Sequence, residues 1–321
     1  METTEFPIGT RKPAAETEPS GRSLISVILC TRNRAEKLSR TLCALGSLSL
    51  PQGWDYEIIV VDNGSTDETP NICAKSHEVL GGRLRRVFLA TPGLGRARNA
   101  GTKVAKGEIL AFTDDDVIPE KNWLEVILDE FQSDPSLAVI SGRVELFNPK
   151  DLPVTVRRRA ERAACNSLAD SFGLLVGCNF ALRRAVVERV GPFDSEFGAG
   201  SRFVSAEDAD FFYRAWRLGE KLCYVPEMLV YHDHGRQTPD AELKLSRWYV
   251  SGRGAFYAKH IWLRDSLATR SFYWELRSSL RDSFRPGEKL GWRHPVWLLK
   301  GFLTYLRYRV FSRIDSSREN P

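Results

Sequence analysis

No two cysteines in this sequence have the spacing of a metal or redox motif. The six (Cys30, Cys43, Cys73, Cys165, Cys178 and Cys223) are scattered and form no CxxC pair. Several fall inside apolar runs, so buried free thiols in a reducing cytosol are expected. No run of 18 uncharged apolar residues occurs, which argues against a membrane-spanning helix. The N-terminal stretch is polar and lacks an apolar h-region, so no secretory signal is expected. Residues 1–22 are rich in Pro, Glu, Thr and Lys without periodicity and read as a disordered leader. No internal repeat is visible, and histidine is scarce, with five in the chain.

What is present is a chain of 321 residues, 42% hydrophobic, long enough for one large domain or a domain with an appendage. Its charge is uneven. From Arg236 onward there are 17 Lys/Arg against 8 Asp/Glu, and five of the eight tryptophans lie there too. The rest of the chain is mildly acidic.

The apolar pattern alternates between short runs and helical spacing. Leu24 to Cys30 reads as a strand, followed by a helix carrying Leu38, Leu42, Leu45 and Leu48. Tyr56 to Val61 and Arg86 to Ala90 are further strands. Gly93 to Ala105 is a Gly-opened helix, and Glu108 to Thr113 a fourth strand. Strand and helix in alternation predict a parallel α/β sheet. Beyond the helix Trp123 to Phe131, strands are expected at Leu137 to Phe147, at Leu174 to Leu182 (interrupted by Gly177) and at Lys221 to Val230. A helix is expected from Ala206 to Leu218. Residues 157–162 carry five charges in six positions and suit a loop or an exposed helix.

Polar clusters stand at the ends of the predicted strands, where open α/β sheets bind ligands. They are Thr31-Arg32-Asn33-Arg34, Asp62-Asn63-Gly64 and Asp114-Asp115-Asp116. Adjacent carboxylates repel, so the last cluster calls for a cation, and hard oxygen ligands suit Mg²⁺ or Mn²⁺. Arg32 and Arg34 suit phosphate, and Asp62 suits a base N–H. Gly93 to Asn99 adds Arg98 at a helix start, an anion-binding position. Glu207-Asp208 at another helix start reads either as an ordinary N-terminal cap or as a general base. His232 and His234 follow a strand, and period-two geometry sets both imidazoles on one face, suited to completing a metal site. Gly177-Cys178-Asn179-Phe180 reads as a wall of the binding site, or as a simple edge-strand bend.

In this order, these motifs and Gly95-Arg96-Ala97-Arg98-Asn99-Ala100-Gly101 resemble the family 2 glycosyltransferases over roughly residues 24 to 235. The resemblance implies the GT-A fold: a mostly parallel central sheet flanked by helices at 23–235, with a basic, aromatic helical region at 236–321. It places Asp116 on Mn²⁺ or Mg²⁺, with His232 and His234 completing the site. Asp114 and Asp115 belong to the nucleotide side, Asp62 to the base, and Thr31, Arg32, Asn33 and Arg34 to the same pocket. Arg98 assists the leaving diphosphate. Asp208 takes the proton of the acceptor hydroxyl, with Glu207 beside it, and the anomeric centre inverts. The implied donor is a UDP-, GDP- or dTDP-sugar. The implied acceptor is a glycan or lipid-linked hydroxyl in cell-surface polysaccharide synthesis.

Processive members of that family carry membrane spans and a Gln-x-x-Arg-Trp motif. Here Lys244 stands where Gln would, before Arg247-Trp248, which favours transfer of a single sugar. The helical tail reads either as an interfacial surface on the cytoplasmic face of the inner membrane or as packing on the core. Two other functions compete. A sugar nucleotidyltransferase also uses carboxylates on such a fold but leaves Asp208 without a task. A basic membrane- or nucleic-acid-binding module leaves the acidic edge unexplained, because it would repel phosphates without a metal. Nucleic acid is therefore not an expected partner.

Overall fold

The computed structural model describes residues 23–318 except 286 and 288. The expected leader lies outside the described residues. In chain order the elements are β1 (Ser23–Thr31), α1 (Ala35–Gly46), β2 (Trp54–Asp62), α2 (Thr69–Val79), β3 (Leu84–Phe88), α3 (Leu94–Val104), β4 (Ile109–Asp114) and β5 (Val117–Pro119). Then follow α4 (Trp123–Ser133), β6 (Leu137–Leu146), β7 (Ala163–Ala164), α5 (Asp170–Gly173), β8 (Asn179–Arg183), α6 (Arg184–Val190), α7 (Glu207–Arg217) and β9 (Lys221–His232). Three helices close the chain: α8 (Pro239–Trp262), α9 (Ser266–Asp282) and α10 (Arg293–Arg318).

The strand order is β3-β2-β1-β4-β8-β6-β9-β5, with β7 added on β9. The strands β3, β2, β1 and β4 run parallel. Ile25, Val27, Ile28 and Leu29 on β1 are wholly buried, because helices cover both faces of a parallel sheet. The expectation of a mostly parallel sheet holds for this half and for the pair β6 and β9. Strand β8 runs antiparallel to both β4 and β6, and β5 and β7 run antiparallel to β9. The sheet as a whole is mixed.

The apolar run 174–182 is a strand only from Asn179. Residues 174–178 form a loop, and the Gly177 carbonyl accepts from Arg98 Nη2 at 2.9 Å instead of joining a ladder.

The basic tail does not stand apart. Phe256 and Ala255 of α8 and Leu298 and Tyr305 of α10 share one buried cluster with Phe197, Phe203 and Tyr213. Helices α8 and α10 cross in close contact, because Gly254 faces the Leu298 carbonyl and Gly301 faces the Ser251 carbonyl, where any Cβ would collide. The packing joins 236–311 to the α/β core across the boundary expected at residue 235.

Candidate active site

The strand ends are level. Register pairs Thr31 with Asp62 and Cys30 with Asp114, so the polar residues that follow converge on one edge. There the repulsion among three carboxylates is met by specific partners. Arg34 Nη1 donates to Asp115 Oδ1 at 3.0 Å and to Asp116 Oδ2 at 2.8 Å. Thr31 Oγ1 donates to Asp115 Oδ2 at 2.7 Å. His232 Nε2 lies 3.2 Å from Asp116 Oδ1.

The three aspartates are thereby made unequal. Burial pushes Asp115 up to about 6, with Arg34 opposing. Burial also raises Asp114, against the pull of Arg98. Asp116 is buried as well, yet the hydrogen bond and charge of His232, with Arg34 and Lys37, hold it well below the usual carboxylate range.

The opposite wall begins at α7. Its N-cap, Ala206, has φ of +78°, a turn that starts the helix at Glu207 and Asp208. Glu207 is buried and accepts from Arg98 Nη1 at 2.8 Å. Burial and the adjacent Asp208 charge push it up to about 7, while Arg98 opposes. Asp208 is only half-buried and faces the cleft. Arg98 is 3% exposed, stacks over Phe180 and Phe193, and stands 3.8 Å from Asp114. Its guanidinium therefore binds the wall that holds Asp208 to the wall that holds Asp114.

Between these walls lies a cavity of about 660 Å³. Helix α8 closes it with Trp248, Tyr249 and Arg253, and the segment after β6 adds Thr155 and Arg157. Of the residues expected to hold Mg²⁺ or Mn²⁺, Asp116 lines the cavity with His232 Nε2 3.2 Å from its Oδ1. Among the described residues no group of three or more His, Cys, Asp or Glu converges. Such ions are commonly held by one or two carboxylates, with substrate phosphates completing the shell.

Residues 26–191 match Glycosyl transferase family 2, and residues 109–312 match Glycosyl transferase family group 2. The chain belongs to glycosyltransferase family 2. It is 28% identical over 252 residues to Glycosyltransferase AglE of Haloferax volcanii, across 78% of this chain and 77% of that protein. It is 28% identical over 243 residues to the pre-mycofactocin glycosyltransferase of Mycobacterium tuberculosis, of which it spans 46%. Among solved structures it resembles the mannosyltransferase PcManGT from Pyrobaculum calidifontis, solved with GDP-Man and Mn²⁺. The TM-score is 0.62 at 19% identity, over 90% of this chain and 88% of that one. S. aureus TarS 1-349 gives a TM-score of 0.56 at 19% identity, over 87% and 80%. These likenesses establish the GT-A fold.

In this family 2 glycosyltransferase, the residues singled out by sequence fall into two groups. Thr31, Arg32, Arg34, Arg98, Asp114, Asp115, Asp116, Glu207, Asp208 and His232 all line the cavity. Asp62, Asn33 and His234 stand behind it. Asp62 is wholly buried; Oδ2 accepts from Arg86 Nε at 3.0 Å and Nη2 at 2.6 Å, and Oδ1 from the Ser65 amide at 2.9 Å. Asn33, at φ of +53°, ties the turn after β1 to the turn after β2 by accepting from the Thr66 amide at 2.7 Å. His234 lies beyond the end of β9 and turns to Asp151, with Nδ1 3.4 Å from Oδ2. Of the two histidines, His232 alone approaches the acid cluster. Asn63, given no role of its own within its cluster, and Thr155, Arg157 and Tyr249, not singled out at all, also line the cavity. Asn63 adjoins Asp62, but no local pattern marks the other three.

Proposed function

We propose that the chain transfers one sugar, with inversion, from a UDP-, GDP- or dTDP-sugar to a hydroxyl of a glycan or lipid-linked acceptor in cell-surface polysaccharide synthesis. The observation that carries this reading is the placement of Asp208 across one cavity from Asp114–Asp116. A displacement with inversion needs a base on the side of the sugar opposite the leaving group, and Asp208 lines the same cavity as the acid cluster.

Asp208 accepts the proton of the acceptor hydroxyl as that oxygen bonds to the anomeric carbon. The carbon–oxygen bond to the diphosphate breaks, and the nucleoside diphosphate leaves with the electron pair. Glu207 and Arg98 act as positioning residues, fixing the start of α7 against the donor edge. Thr31, Arg32, Arg34 and Asp114 face the donor nucleotide. Asp116 and His232 would hold Mn²⁺ or Mg²⁺, which when bound offsets charge on the leaving diphosphate.

A contact with the cytoplasmic face of the inner membrane fits the same reading. Helix α9 exposes Tyr273 and Trp274, with Arg277 over the Trp274 ring. Helix α10 exposes Val296, Leu303 and Phe311, with Arg307 over Phe311. No described helix is long and apolar enough to cross a membrane.

The test is a thermal-shift screen of sugar nucleotides with and without Mn²⁺, followed by turnover of Asp208→Asn with the stabilising donor. The variant should keep donor binding and lose transfer by a factor on the order of 10² to 10⁴. Turnover near the wild-type rate would remove Asp208 from the base role.

A further inference from the structure

The cavity carries arginines beyond those paired with its acidic edge. On the donor side exposed Arg34 has Asp115 and Asp116, and buried Arg98 has Glu207. The wall made by the segment after β6 and by α8 is different. Arg157 spends Nη1 on the Val156 carbonyl at 2.9 Å and Nη2 on the Phe172 carbonyl at 3.0 Å, both neutral acceptors. Its Nε is buried without a partner. Arg236 makes no ion pair among the described residues, and its Nη1 is buried and unpartnered too. Arg253 stacks on the Phe172 ring at 4.8 Å and reaches Glu275 at 3.3 Å, yet its Nε is likewise unsatisfied.

Half-buried Arg157 and Arg236 lack a counter-charge among the described residues, and a buried N–H without an acceptor is costly. Having them on one wall of one cavity points to an anion supplied from outside the chain. Guanidinium groups match phosphate oxygens in geometry and charge. The neighbouring surface is apolar, with Phe172, Leu175, Leu245 and Trp248.

We propose that Arg157 and Arg236, flanked by Arg253, form a second anion subsite in the cavity, which binds a phosphate ester on the acceptor, next to an apolar stretch of that acceptor. This rests on the glycosyltransferase reading and narrows its acceptor to a phosphate-bearing class.

The probes are octyl phosphate and uncharged octyl glucoside, titrated into the full chain alone and with UDP, GDP or dTDP plus Mn²⁺. Wild type should bind octyl phosphate at least tenfold more tightly than octyl glucoside. Octyl phosphate and the nucleotide should bind together without displacing each other. Arg236→Gln should lose the preference for octyl phosphate, and Arg236→Lys should restore part of it. Arg236 has no side-chain hydrogen bond or ion pair to lose among the described residues, so its substitution is not expected to unfold the chain. Arg157→Gln, checked by its melting curve, should act in the same direction. Mutual displacement of octyl phosphate and nucleotide would assign the arginines to the donor diphosphate and overturn the proposal. Equal binding of the two octyl compounds would overturn it as well. A chain that binds octyl phosphate but none of the nucleotides keeps the subsite while sinking the transferase reading.

Discussion

The Asp208 carboxylate occupies the space that a side chain at position 177 would need: a Cβ on Gly177 would lie 2.5 Å from Asp208 Oδ2 and 2.9 Å from Arg98 Nη2. The glycine lets the loop before β8 press against Asp208 and Arg98. Gly177→Ala should therefore displace Asp208 and lower kcat about 10²-fold, as misplacement by about an ångström does. Donor affinity, read by thermal shift with the sugar nucleotide, should change little. A variant with wild-type kcat would show that the loop yields without moving Asp208.

Glu207 gives a pH signature. Its folded carboxyl is pushed from 4.5 up to about 7 by burial and by Asp208. The folded chain thus keeps a proton that the unfolded chain releases earlier. That contribution to stability is complete below about 4.5 and is lost as pH rises through about 7. Glu207→Gln carries no such proton. Urea denaturation of both proteins between these pH values should show the variant gaining on wild type as pH rises. Parallel curves would count against it.

Asp210 joins α7 to the tail. It is wholly buried and accepts from Arg214 Nε at 2.8 Å and from Lys259 Nζ at 2.6 Å, with His260 Nε2 at 3.0 Å. Removing one partner of a buried charge network typically costs about 3–5 kcal/mol. Asp210→Asn should lower the unfolding free energy by that order, measured by urea denaturation near neutral pH. Although burial opposes it, Lys259, His260 and Arg214 hold the folded carboxyl below its usual 3.8, so the difference should shrink as pH falls below that value. A loss below about 1 kcal/mol would mean the network is solvated in practice.

The outer faces of α9 and α10 test the membrane contact. Deleting the tail is unsuitable for this, because α8 and α10 belong to the core and α8 lines the cavity. Replacing the exposed Trp274 and Leu303 with Gln removes apolar surface without touching either. Flotation with phosphatidylglycerol vesicles should fall for the double variant while its melting temperature holds. Binding equal to wild type would rule this surface out.

Much of the site is legible in the chain because the elements that carry it are local. An apolar run followed by a polar cluster states both a strand and what stands at its end, so Thr31, Arg34 and Asp114–Asp116 could be placed together from sequence. The role of Asp62 is harder to read. Its end-of-strand position is correct, yet Arg86 on the neighbouring strand takes its carboxylate. The strand expected at 174–182 fails for a similar reason. Apolar composition does not reveal that Gly177 must pass close to Asp208.

By itself the sequence determined the alternation of strands and helices in the first half of the chain, the acidic edge, the Glu207-Asp208 helix start and the family resemblance, since each depends on residues close together in the chain. Only the tertiary structure decided which carboxylate is paired with which cation, that His232 but not His234 meets the acid cluster, and that the basic tail closes the cavity. Those outcomes depend on contacts between residues far apart in sequence, such as Arg98 with Glu207 and Ser205 with Trp248. Packing and burial select such contacts, and no local pattern encodes them.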